Sequence, residues 1–132
     1  MKQINLLEWS KHYVQARDAI ERKLKTIDEK PDRLICTYKD KQVTFIAEET
    51  LTAKSLDANA FTTIVTLQTT KNFDALIDQF AVFSQHPKLT IIFVNPKLNE
   101  KWMIKPAVHA AVADKSTLKL GLQSMFDTVP SV

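Results

Sequence analysis

Glycine is almost absent from this chain. Its 132 residues contain one, Gly121, where average usage of roughly 7% would give about nine. A phosphate-cradling loop needs several backbone positions without a Cβ, so that the chain can close around the phosphate. Dinucleotide fingerprints, P-loops and kinase-type loops are therefore excluded, as is a G-x-S-x-G nucleophile elbow. Cysteine is equally scarce. Cys36 stands alone, which rules out an internal disulfide and a cysteine-built zinc site and suits a reducing compartment. No apolar run approaches the ~18 residues of a bilayer span. The opening "MKQINLLEWSKH" becomes charged too early for a secretory signal. The expectation is a cytoplasmic protein without membrane association.

What remains has the composition of a globular domain. Hydrophobic residues make up 45% and charged residues 25%, and the length suits one domain with one core. The formal net charge is +3, from 18 basic and 15 acidic groups. Its distribution says more than its size. Between His86 and Lys119 six lysines (88, 97, 101, 105, 115 and 119) face only Glu100 and Asp114, so that this segment carries +4. A basic segment suits an anionic partner.

Periodicity outlines an α/β protein. Leu6, Trp9, Tyr13, Ala16, Ile20, Leu24 and Ile27 recur every three or four residues, which predicts one long helix over 5–29. Asn5 with Glu8 opens it as a capping-box-like start, and Pro31 closes it. "RLICTYKD" (33–40) and "KQVTFIAEE" (41–49) alternate in polarity around a charged "KDK", the pattern of a hairpin. Residues 50–60 are small and polar and read as a connection.

"TIVTLQTTK" (63–71) begins as a buried strand and ends polar. A helical spacing of Phe73, Leu76, Ile77, Phe80 and Phe83 follows over 72–86, with Asn72 as cap, until Pro87 stops it. "LTIIFVN" (89–95) is apolar on both faces, as a central strand should be. Strand, helix and apolar strand predict two parallel strands with a right-handed crossover. "WMIK" (102–105) reads as an edge strand, and 107–113 and 116–126 as two short helices. The fold expected is a single α/β domain over 1–132: an α-β-β-β-α-β core with a mixed central sheet, a long N-terminal helix and a helical tail.

That element order, over residues 5–105, resembles the PD-(D/E)XK nuclease-like fold of restriction enzymes and Holliday junction resolvases. The resemblance implies an Asp at one strand and a carboxylate-x-Lys on the next, the two carboxylates holding Mg²⁺ and the lysine serving the attacking water. Carried onto this sequence, Asp57 takes the first position, Gln68 stands where the second carboxylate belongs, and Lys71 follows at a spacing of three instead of two. Glu48 is a candidate extra metal ligand. A neutral amide makes a poor ligand for a hard cation, so the chain resembles a diverged, non-catalytic relative more than a working nuclease. "KWMI" also resembles, loosely, a strand seen late in resolvase cores.

Three functions follow. The leading one is a non-catalytic binding domain contacting nucleic acid, with Lys71, Lys97, Lys101 and Lys105 on phosphates and Trp102 stacked on a base. The second is an active Mg²⁺-dependent nuclease using Asp57, Gln68 and Lys71, and only then is Mg²⁺ a cofactor. The third is an interaction or homo-oligomerisation module, favoured if Trp102, Met103, Met125 and Phe126 are exposed. Each cluster also has a plain structural reading: Gln68–Lys71 as a strand end and helix cap, Trp102 as core, the lysines as protection of a sheet edge. His12, His86 and His109 lack metal-ligand spacing, and Cys36 alternates with apolar neighbours as a core residue does.

Overall fold

The computed structural model describes residues 5–53, 60–112 and 116–132. Helix α1 (Leu6–Glu21) leads into three strands, β1 (Leu24–Glu29), β2 (Arg33–Tyr38) and β3 (Gln42–Ala47), and a connection to β4 (Phe61–Leu67). Helices α2 (Thr70–Asp78) and α3 (Phe80–Phe83) precede β5 (Leu89–Asn95) and β6 (Glu100–Ile104), and α4 (Pro106–Val112) and α5 (Leu118–Phe126) end the chain.

The six strands form one sheet in sequence order, β1-β2-β3-β4-β5-β6. The hairpin is present: β2 and β3 are antiparallel, with Cys36 opposite Val43, and Tyr38 N–H bonds to Lys41 O at 2.8 Å across the "KDK" turn. β4 and β5 are parallel, with Ile64 beside Ile91, as the strand-helix-strand pattern required. β3 and β4 are also parallel, and β6 runs antiparallel along β5 with Trp102 opposite Phe93. The sheet is therefore mixed.

Both sheet faces are covered, which explains the doubly apolar β5. On one side α1 lays Leu6 and Val14 over Leu34, Cys36, Phe45, Val65, Ile92 and Val94. On the other, α2, α3 and α5 pack Phe73, Leu76, Phe80, Phe83, Leu122 and Phe126 over Ile64, Ile91, Phe93 and Trp102. No helix among the described residues is long and apolar enough to cross a membrane.

The single helix expected over 5–29 is a helix and a strand. α1 starts as read, with the Asn5 side chain accepting from Glu8 N–H. It stops at Arg22, which is left-handed at φ 53°. There the Asp18 carboxylate accepts from the N–H groups of both Lys23 and Leu24 at 2.7 Å, capturing donors as the chain turns. Ile20, part of the expected stripe, is 87% exposed. Leu24 and Ile27 are three apart, which in a regular strand means opposite faces. A bulge between Leu24 and Thr26 inserts one residue and puts both side chains against the α1 core. The bulge reproduces a helical spacing inside a strand, and the core order gains a strand ahead of the hairpin.

The helix expected over 72–86 is likewise two. Gln79 leaves helical geometry, at φ −109° and ψ 14°, between α2 and α3. The cap of α2 is Thr69, whose hydroxyl accepts from Asn72 N–H at 3.1 Å. Asn72 is not the cap but a buried latch. Its Oδ1 accepts from Leu51 N–H at 2.9 Å, and its Nδ2 donates to Glu49 O at 2.8 Å and Leu67 O at 2.9 Å. Those three bonds fasten the start of the β3–β4 connection to the end of β4.

Candidate functional site

The polar end of β4 is the first place to look, since ligands of α/β sheets sit beyond the carboxyl ends of parallel strands. Gln68 is fully buried there. Its Nε2 donates to Phe126 O at 2.7 Å and Val129 O at 2.8 Å, and its Oε1 accepts from Trp102 Nε1–H at 2.7 Å. Gln68 O also accepts from Val132 N–H at 2.8 Å. Next to it Asn95 Nδ2 donates to Pro130 O at 2.9 Å. The C-terminal segment is thus seated over the ends of β4 and β5, and Gln68 has its side-chain bonding capacity taken up by protein. The amide placed in a catalytic position by the sequence is a clamp for the tail.

The other residues of that reading do not gather around it. Asp57 lies outside the described residues. Lys71 is exposed in the first turn of α2. Glu48 follows β3, where its carboxylate accepts from Thr52 N–H at 3.2 Å. Burial pushes the Glu48 carboxyl above its usual range, and the Thr52 N–H bond and Arg33 pull it back only in part. Among the described residues no three His, Cys, Asp or Glu side chains come together as metal ligands.

The lysine-rich segment divides in two. Trp102 is only 7% exposed and stacks on Phe93, ring centroids 4.6 Å apart. Its ring belongs to the core, because the odd and even positions of β6 face opposite sides of the sheet. Met103 therefore faces the α1 side and is partly exposed, Phe126 is buried and Met125 packs against the core. Of the four residues named for an interaction surface, one reaches solvent appreciably. Lys97 is exposed in the turn after β5. Lys101 and Lys105 share the α1 side with Met103, and Lys101 Nζ lies 5.2 Å from the Tyr13 ring centroid.

Lys105 leads to a different site, at the opposite end of the parallel strands. A groove of about 440 Å³ opens between the last turns of α1 and the starts of β3, β4 and β5. One wall is Tyr13, Arg17 and Glu21, another is Tyr38, Asp40 and Lys41 of the hairpin, and Phe61, Thr63, Lys88 and Thr90 form the floor. Five cationic residues line it (Arg17, Lys23, Lys41, Lys88 and Lys105) against three acids (Asp18, Glu21 and Asp40).

Two of those acids are already engaged. The Asp18 carboxylate holds the Lys23 and Leu24 N–H groups, and Glu21 pairs with Arg17 at 3.3 Å. The Arg17–Glu21 pair cancels itself, and the remaining four lysines against two acids leave the groove with a net positive charge. Lys41 and Lys88 flank the Phe61 ring, their ammonium groups 5.2 and 4.9 Å from its centroid. Tyr13 continues the lining up α1: it stacks on Trp9 with centroids 5.3 Å apart, and its hydroxyl accepts from Arg17 at 3.2 Å. Burial pushes the Tyr38 hydroxyl up to about 12, so it stays a neutral donor in the groove.

Phe61, Lys41, Tyr13, Arg17, Lys23 and Tyr38 were not singled out from sequence. A signal exists for two groove residues. β4 and β5 read as parallel, which puts their starts at one end of the sheet, and the register that sets Thr62 beside Leu89 makes Phe61 and Lys88 neighbours. Lys41 needed the β3–β4 pairing, which nothing in residues 50–60 announces.

The sequence matches no protein-family model, and neither a curated protein nor a solved structure matches it.

Proposed function

We propose that this chain is a non-catalytic, diverged nuclease-like binding domain that contacts nucleic acid through the groove beneath the end of α1. The observation that carries the reading is the convergence of Arg17, Lys23, Lys41, Lys88 and Lys105 on one concave surface. Each phosphate neutralised by such a group releases condensed counterions, which gives affinity without sequence preference. The seam continues past the groove through Tyr13 to Lys101, which extends the track along α1. Catalysis is not part of the proposal, because the Gln68 amide is occupied by the Phe126 and Val129 carbonyls and the Trp102 indole.

The test is fluorescence anisotropy with labelled DNA and RNA across a salt series. Contact with four phosphates of a single strand gives a log–log slope of about −3. Absence of binding to any nucleic acid at low salt rejects the proposal.

A further inference from the structure

The groove also specifies which form of nucleic acid it fits. Resting on the nucleic-acid reading above, we infer that its ligand is a single strand, with one base stacked on Phe61 and the adjoining phosphates on Lys41 and Lys88. Three observations carry this.

The first is shape. A duplex is a convex rod with its bases stacked inside, and a cleft of about 440 Å³ with walls on α1 and the hairpin admits a nucleotide unit instead. The second is the placement of Phe61. It is the first residue of β4 and shares the α1 side with Thr63 and Val65, yet it is 37% exposed because it opens into the groove instead of the core. A phenyl ring left at the floor of a polar cleft is a platform for another π-face.

The third is the pair of ammonium groups on that ring. They lie 5.2 and 4.9 Å from the Phe61 centroid. An aromatic face attracts a cation through its quadrupole and a nucleic-acid base through stacking, so the ring suits both. A base on the ring brings its own phosphate toward these ammonium groups, since the two are covalently joined. Lys41 precedes β3 and Lys88 precedes β5, the two neighbours of β4, so one cation stands to each side of the platform.

The experiment compares four ligands on the intact chain: a short single strand, the duplex of equal length, the same single strand without bases, and the free mononucleotide. The single strand should bind at least about tenfold more tightly than the baseless strand, which keeps every phosphate. Phe61→Ala should weaken single-strand binding by roughly 5- to 100-fold and leave binding of the baseless strand unchanged. Phe61→Trp should retain the affinity. A circular dichroism melt checks that each variant is folded, and the baseless strand tests the same point with no substitution at all.

Duplex binding equal to single-strand binding, or equal affinity for the strands with and without bases, overturns the inference while leaving the phosphate-contact reading intact. Competition by the mononucleotide at the same concentration as the strand also overturns it, because the groove would then serve a free nucleotide. Failure of all four ligands at low salt removes both readings.

Discussion

Gln68 and Trp102 are joined by a 2.7 Å hydrogen bond that runs from the indole N–H of β6 to the amide oxygen beyond β4, across the intervening strand. The same amide donates to Phe126 O and Val129 O. Gln68→Leu strands the Trp102 indole donor and the Val129 carbonyl, while Phe126 O keeps only its 3.3 Å bond from Val129 N–H. Each stranded group costs about 1–3 kcal/mol, so a total of at least ~2 kcal/mol is expected, read as a lower midpoint in urea unfolding. Gln68→Glu should be no rescue, since it sets a carboxylate against two carbonyl oxygens. Wild-type stability in Gln68→Leu would show that the tail does not depend on the clamp.

Asn72 predicts a similar effect from a different element. Its three bonds to Leu51, Glu49 and Leu67 hold the β3–β4 connection. Asn72→Asp preserves the acceptor for Leu51 N–H but removes both donors. A loss of about 2 kcal/mol or more is expected, with proteolysis accelerated around residues 49–53. Unchanged cleavage there would mean that the connection is held by other contacts.

The corner between α1 and β1 tests how a chain so poor in glycine makes its turns. Among the described residues, Arg22 and Asn99 are the two non-glycine residues at positive φ, 53° and 52°. Arg22→Gly should stabilise the fold by up to ~1 kcal/mol, the relief of left-handed strain less the greater freedom of an unfolded glycine. Asp18→Ala should destabilise it by about 1–2 kcal/mol, since two N–H groups lose their acceptor. Both are read as shifts in melting temperature.

That corner is also where the sequence misled. The stripe through Leu24 and Ile27 satisfies a helical period because a bulge spends one residue between two inward-facing side chains. Periodicity records which residues are buried, and a bulged strand buries the same spacing as a helix. Thr26 and Ile27, both β-branched, carried the contrary hint. The β2–β3 hairpin, the parallel β4–β5 pair and the doubly buried β5 were legible because their patterns follow from strict alternation or unbroken apolarity. The groove was not, because its walls come from α1, the hairpin and three strand starts, a convergence that exists only once the β3–β4 pairing is known. Gln68 was noticed for its position, but its partners lie 34 to 61 residues away, beyond any local pattern.

Cys36 offers a pH test of the core under α1. Burial pushes its thiol up to about 11 from an ordinary value of 9.0. The folded state therefore holds this proton where the unfolded chain releases it, and stability must fall as pH rises from 9 toward 11. The loss attributable to this group reaches at most ~3 kcal/mol, and Cys36→Ala should flatten that part of the profile. In the native protein the thiol should resist a thiol reagent at pH 8 and react only on unfolding. Rapid modification under native conditions would contradict its burial.

The last prediction separates the two ends of the sheet. Lys71 and Lys97 follow the carboxyl ends of β4 and β5, whereas Lys41 and Lys88 precede β3 and β5. Strands of seven residues at about 3.3 Å per residue put the two groups roughly 20 Å apart. If the groove is the nucleic-acid site, Lys41→Gln and Lys88→Gln should each reduce the salt slope for a single strand by about 0.7, one phosphate contact apiece. Lys71→Gln and Lys97→Gln should leave slope and affinity within error, because their charges lie more than a Debye length of about 8 Å away at physiological salt. The reverse pattern would move the interface to the end of the sheet where Gln68 holds the tail, and the groove reading would fall with it.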